Sequence, residues 1–326
     1  MGFSAPSSET GSSQSLWKRL SNYTTSIAAF DGTSGENQSR LLPVKAGELG
    51  LRQADALFAH VKSLPDLAGG LFSHVDPQSV AAVGVSTRPR AVDGSYMPCF
   101  LAGVCLAKTV ASLLRVPLVE VSHQQGHLAA ALWSSGREAL LDRPFLAWHL
   151  SGGTTELLYV EPQGRNVACS RIGGTTDISA GQLIDRTGRL LGLPFPAGKA
   201  LDQLSREAGP VEGFRVKCPE LEFSLSGVEN QVQQYFTRTG SREKTAAFAL
   251  DSVCRAVYAA TDHARRRHPG LPVVFSGGVA SNAMLRRQME PFDPVFCPPQ
   301  YATDNAMGVA VLAWRSLEES DGTTDL

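Results

Sequence analysis

The 326-residue chain is 43% apolar and 19% charged, and its 30 Lys and Arg against 31 Asp and Glu leave a formal charge of −1. This is the composition of a soluble globular protein with room for two domains or one duplicated α/β unit, and it excludes a broad basic field for nucleic acid or an acidic membrane. No window reaches the roughly 18 apolar residues of a membrane span, and six scattered cysteines without a CxxC spacing read as reduced thiols in a cytoplasmic protein.

Residues 1–19 read as a Ser-rich disordered tail or a mis-called start. "SSQSLWKRL" (12–20) is polar and a poor strand, and Pro6 stands where a myristoylation motif has Ser or Thr. "LSNYTTSIAAF" (20–30) then opens the ordered chain as a turn running into an apolar strand. An amphipathic helix around "QADALFAHVKSL" follows, then a buried strand "VAAVGVS", a helix "CFLAGVCLAKTVASLL" and a strand "PLVEVS". "HQQGHLAAALW" (123–133) is the next helix, and "PFLAWHL" (144–150) the next buried strand.

"LSGGTTELLYV" (150–160) matches the 20–30 segment in register at Leu, Ser, Thr and Thr, 130 positions on. After it come the helix "SAGQLIDRTGRLLGL", a Pro/Gly-rich segment, a long helix "TAAFALDSVCRAVYAATDHARRR", a strand "LPVVFSGGVAS" and a final helix "DNAMGVAVLAWRSLEE". Strands alternating with helices in two similar halves predict a duplicated α/β protein with an interdomain cleft. The expected division is the tail over 1–19, a first domain over 20–120 onto which the helix of 305–326 packs back, and a second domain over 121–304.

Three sets of residues carry candidate chemistry. His123 and His127, four apart at the head of a helix, point off one face; spacing alone leaves a metal site and ordinary solvated or core histidines both open. "LSGGTT", with Ser151, Gly152, Gly153, Thr154 and Thr155, offers backbone N–H groups at a strand reversal, and "SGGVASN" offers a helix N-terminus with Asn282 in its first turn. Either is also an ordinary tight turn. "GGTTDISAGQLIDRTGRLLGLPFPAGKALD" carries Asp177, Asp185, Gly198 and Asp202; Asp185 suits ribose hydroxyls or solvent, and in "YATDNAMG" Thr303 or Asp304 suits a helix cap.

Taken in order, HxxxH, "SGGTTELL", "GGTTDISAGQLIDRTGRLLGLPFPAGKALD", "FSLSGVEN", "SGGVASN" and "ATDNAMG" resemble the tRNA threonylcarbamoyladenosine-forming (TsaD) family, once labelled glycoproteases, over residues 20 to 316. The resemblance implies the duplicated actin/hexokinase/heat-shock ATPase fold. It implies a divalent metal, iron or zinc, on His123, His127 and Asp304. It also implies nucleotide contacts, for ATP or threonylcarbamoyl-AMP, at Ser151 to Thr155, Asp185, Gly198, Asp202 and Asn282. The implied reaction moves a threonylcarbamoyl group from its adenylate to the adenosine beside the tRNA anticodon, with tRNA as substrate and small accessory proteins as partners. It implies no DNA or membrane partner, and no side chain stands out as general base.

The chain departs from the family pattern at several points. Thr154 replaces a histidine, Ile178, Gln182 and Arg186 replace Asp, Glu and Lys, and "GVSTRPRAVDGSYMPCF", with Arg88 and Arg90, replaces a Gly-Pro-Gly turn. The opening apolar strand and its phosphate-contacting acid are missing from the sequence pattern, so a central ladder of the first domain is expected to be lost. These changes suggest a divergent bacterial paralogue, and a second reading is a nucleotide-binding scaffold or ATPase without transferase activity. A metalloprotease is disfavoured, because HExxH needs a glutamate as base where this chain has Gln124.

Overall fold

The computed structural model describes residues 14–20 (backbone only), 24–43, 51–302 and 306–318. In the first half, β1 (Gln14–Leu20), β2 (Thr24–Phe30) and β3 (Gly35–Leu41) lead through α1 (Gln53–Phe72), β4 (Val80–Arg88) and α2 (Leu101–Leu114) to β5 (Leu118–Ser122) and α3 (His123–Ser134). In the second half, β6 (Phe145–Leu150), β7 (Thr155–Gln163) and β8 (Asn166–Thr175) are followed by α4 (Ala180–Leu190), α5 (Gly198–Ser205), β9 (Glu222–Phe223), α6 (Ser226–Thr239) and α7 (Arg242–Arg267). β10 (Val273–Ser276), α8 (Ala283–Met289), β11 (Val295–Phe296), α9 (Pro299–Ala302) and α10 (Met307–Leu317) complete the chain.

The strand order is β3-β2-β1-β4-β5 in one sheet and β11-β10-β6-β7-β8-β9 in the other. Apart from β9, the two orders are the same topology: an antiparallel three-strand meander extended by two parallel strands on its first member. The repeat read from Leu20 and Leu150 falls on equivalent points, the ends of β1 and β6. All six residues of β6 are buried, as a central strand covered on both faces requires.

One expectation is overturned. Residues 14–19, read as tail, belong to β1, which lies in the middle of its sheet, antiparallel to β2 from Ser15–Phe30 to Leu20–Thr25 and parallel to β4. The central ladder is therefore present. Two neighbouring strands satisfy the backbone of β1 from both sides, and that pairing outweighs a composition that scores poorly for a strand. Residues 1–13 lie outside the described residues.

Between the sheets lie α3 and α10, each following the last strand of its half. Their side chains build one core with both sheets, including Ala28 and Ala82 from the first, Ala147 and Val274 from the second, and Leu128, Ala129, Val309 and Ala310 from the helices. The crossing is close enough to exclude a side chain: a Cβ on Gly308 would lie 1.8 Å from the Gly126 carbonyl oxygen and 2.5 Å from the Ala130 nitrogen. Gly35 meets the same helix, with Met307 against it.

Gly308→Ala is expected to lower unfolding free energy by about 3 kcal/mol, the upper end for overpacking, because the obstacle is backbone. Urea unfolding of the variant measures it, and an unchanged midpoint would show that the helices do not cross this closely.

Candidate functional site

The histidine pair is positioned by a junction without a loop. Ser122 is both the last residue of β5 and the N-cap of α3, its hydroxyl accepting from Gln125 N while the Gln125 side chain accepts from Ser122 N. This capping box fixes the first turn of the helix, so His123 emerges at the carboxyl end of a parallel strand, where open α/β sheets place ligands. The His123 and His127 ring centroids are 4.7 Å apart, near perpendicular. Phe100 packs edge-on to His123.

A pocket of about 450 Å³ opens at this point, lined by His123, Gln124 and His149, by Gly153, Thr154 and Glu156, and by the 89–97 loop. The strand reversal is closed by Ser151 N donating to Thr154 O (2.8 Å) and Thr154 N to Ser151 Oγ (3.1 Å). Among the described residues the Gly153 N–H has no acceptor, which leaves it for an anion. Thr155 is different: its side chain is buried and its hydroxyl accepts from Ala180 N at 2.8 Å, holding the start of α4. Ser179 adds a second tie, donating to Gly152 O at 2.7 Å.

The second Gly-rich turn lies beside the first because β10 pairs with β6 and brings Ser276 opposite His149. Gly277, at φ +91°, turns the chain there; a Cβ would strike Leu150 O at 2.3 Å. Asn282 caps α8, accepting from Leu285 N, and donates from Nδ2 to Asp202 Oδ1 at 2.7 Å. Asp202 is also paired with Arg206. Asp185, half-buried on α4, accepts from Ala197 N at 2.8 Å, and burial pushes its carboxyl above the ordinary value. Gly198 begins α5 next to it.

The predicted residues thus form two groups. His123, Gly153 and Thr154 share the pocket, while Asp202 and Asn282 are bonded to each other beyond the second turn. Asp304 lies outside the described residues. Among the described residues no three His, Cys, Asp or Glu side chains are arranged to hold a metal ion.

Three pocket residues, His149, Glu156 and Arg90, are not among the candidate site residues read from the sequence. His149 is the penultimate residue of the apolar strand β6; its ring lies 4.6 Å from that of His127 and its Nδ1 3.3 Å from Ser276 Oγ. The family pattern has a histidine at position 154, and here an imidazole reaches the same pocket from position 149. The sequence signal was a polar ring at the carboxyl end of a buried strand. Glu156 and Arg90 form an ion pair at 2.6 Å, and Gln124 Nε2 donates to Glu156 at 3.1 Å.

The family model described as tRNA N6-adenosine threonylcarbamoyltransferase (TsaD) matches residues 54–311. The tRNA N6-adenosine threonylcarbamoyltransferase of Carboxydothermus hydrogenoformans is 29% identical over 267 residues, 78% of this chain and 77% of that protein. Its counterpart in Anaeromyxobacter sp. is 33% identical over 254 residues, 73% of each. Among solved structures, HypF of T. kodakarensis aligns with TM-score 0.62 and 14% identity over 94% of this chain and 48% of its own. Component A of Acidaminococcus fermentans (R)-2-hydroxyglutaryl-CoA dehydratase aligns with TM-score 0.55 and 12% identity over 94% and 100%. A ROK family glucokinase from Streptomyces griseus aligns with TM-score 0.50 and 13% identity over 92% and 98%. At these identities the structures share the fold alone, the duplicated actin-like fold. Among the described residues no helix is long and apolar enough to cross a membrane.

Asp177, in the turn before α4, accepts from the Ser224 and Ser226 hydroxyls (2.5 and 2.6 Å) and from Leu225 N (2.8 Å), and so pins "FSLSG" to that turn. Burial works against its ionisation, and these donors outweigh it, holding the carboxyl well below the ordinary value. With the folded pKa depressed, its contribution is complete above the unfolded value of about 3.9 and is lost as the pH falls further. Asp177→Asn is expected to lower stability at pH 7 and flatten the acid limb of the stability curve. Identical acid limbs for variant and wild type would contradict this.

Proposed function

The chain belongs to the tRNA N6-adenosine threonylcarbamoyltransferase family, and on that footing we propose that it moves the threonylcarbamoyl group of threonylcarbamoyl-AMP to the exocyclic amine of the adenosine beside the tRNA anticodon. The observation that carries this reading is the lining of one pocket by His123 together with Gly153 and Thr154. An imidazole and one open backbone N–H, that of Gly153, at one point suit a reaction whose leaving group is a phosphate.

Each residue has a part in this reading. The Gly153 N–H and Thr154 hydroxyl receive phosphate oxygens, with Ser151 and Thr155 holding the turn in shape. The adenosine lies toward Asp185, Gly198 and Asn282, with Asp202 setting the Asn282 amide through their hydrogen bond. His123 and His127, whose ring centroids lie 4.7 Å apart, would hold an iron or zinc ion together with Asp304, and that ion would supply a Lewis acid for the mixed anhydride. In the transfer, the amine nitrogen bonds to the carbamoyl carbon, the carbon–oxygen bond to phosphate breaks, AMP leaves with the electron pair, and the amine gives up one proton to solvent. Glu156, the carboxylate lining the pocket, has both oxygens engaged by Arg90 and Gln124 and is not assigned as base. Small accessory proteins of the same pathway belong to this reading as partners.

Purified protein given tRNA and preformed threonylcarbamoyl-AMP is expected to yield the modified nucleoside on digestion and mass analysis. Nucleotide binding without product would instead favour the scaffold reading. Elemental analysis is expected to find roughly one iron or zinc per chain, falling by about an order of magnitude in His127→Ala. Equal metal in both proteins would remove His127 from the ligand set.

A further inference from the structure

The loop that replaces the family's Gly-Pro-Gly turn forms a wall of the pocket. It is tied down at two points: Gln124 N, in the first turn of α3, donates to Pro89 O at 3.0 Å, and Arg90 N donates to Ser95 Oγ at 3.0 Å. The Arg90 side chain is thereby carried over the start of β7. Its Nη2 lies 2.6 Å from Glu156 Oε1 and its Nε donates to Oε2 at 3.1 Å.

The two partners differ sharply in exposure, 48% for the Arg90 side chain and 8% for that of Glu156. The buried carboxylate is fully engaged, since Oε2 also accepts from Gln124 Nε2. The half-exposed guanidinium is not: among the described residues Nη1 has no partner. Glu156 occupies the Nε–Nη2 edge and so fixes the plane of the fork. The Nη1–Nη2 edge remains open, and that edge matches a phosphate or carboxylate bidentately. Among the described residues, Arg90 and Glu156 are the only Lys, Arg, Asp or Glu side chains lining the pocket. Among the described residues, Nη1 of Arg90 and the Gly153 N–H are two pocket donors that no acceptor engages.

We infer that Arg90 is the oxyanion anchor of this pocket, taking a phosphate or carboxylate of the ligand on its open edge while Glu156 and Gln124 hold it in place. This rests on the pocket being the ligand site proposed above, but not on transfer to tRNA. Arg90 is then a specificity residue, and Glu156 a positioning residue that acts through it.

Calorimetric titration with two ligand pairs tests the assignment: AMP against adenosine, and N-carbamoyl-L-threonine against its C-terminal amide. Wild type is expected to prefer the anionic member of at least one pair, and the pair that responds identifies the phosphate or the carboxylate as the group held. Arg90→Ala is expected to weaken that anion roughly 10- to 100-fold and leave the neutral member unchanged, the effect of losing charge-assisted hydrogen bonds. Arg90→Lys, which keeps the charge without the fork, and Glu156→Gln, which loosens it, are expected to fall between, and either carries the test should Arg90→Ala fail to fold. No preference in wild type for either pair, or a preference unchanged in the variants while melting temperature falls, overturns the assignment and leaves Arg90 a structural ion pair. An Arg90-dependent preference in a protein that forms no modified nucleoside refutes the proposed transfer and leaves the anchor standing.

Discussion

The close crossing of α3 and α10 is the constraint on which the rest of the molecule depends. Gly308 leaves no room for a Cβ above the Gly126 carbonyl, so the helices meet backbone to backbone, and the core they share draws residues from both sheets. Each helix follows the last strand of its half. The duplication therefore does more than repeat a fold: it sets two equivalent helices against each other and brings the head of α3 beside the turn that ends β6. Gly126 lies between His123 and His127 in sequence, so the same turn of helix presents the imidazoles and accepts the partner helix.

The pocket and the group beyond the second turn each gather parts that the chain keeps far apart. Arg90 and Glu156 are 66 positions apart, and Asp202 and Asn282 are 80 apart. An otherwise balanced chain thus concentrates its donors locally, with one guanidinium edge and one turn N–H facing the same space. The basic run at the end of α7 does not add to them, because Arg266 is paired with Asp262, Arg267 with Glu220, and Arg265 donates to Leu271 O.

How much of this could be read beforehand follows from the range of each interaction. The repeat was legible because a strand reversal needs short hydroxyl and glycine residues within a few positions. The histidine pair was legible because helical spacing is local. β1 was not, since its place is set by partners on both sides rather than by its own residues. His149 was hidden inside a run of apolar residues that correctly marked a buried strand. Gln124 was read only as a missing glutamate; that it would bond a glutamate from another strand emerges only in the fold. Thr155 was grouped with ligand-facing residues because it adjoins them in sequence, yet strand alternation turns it inward to α4.

A crystal structure with AMP and zinc, using anomalous scattering to locate the metal, tests most directly whether this pocket is where metal and nucleotide meet. The account predicts anomalous density at His123 and His127, with an oxyanion of the nucleotide between the Gly153 turn and Arg90. Nucleotide phosphate bound away from that turn, with no metal at the histidine pair, would contradict it.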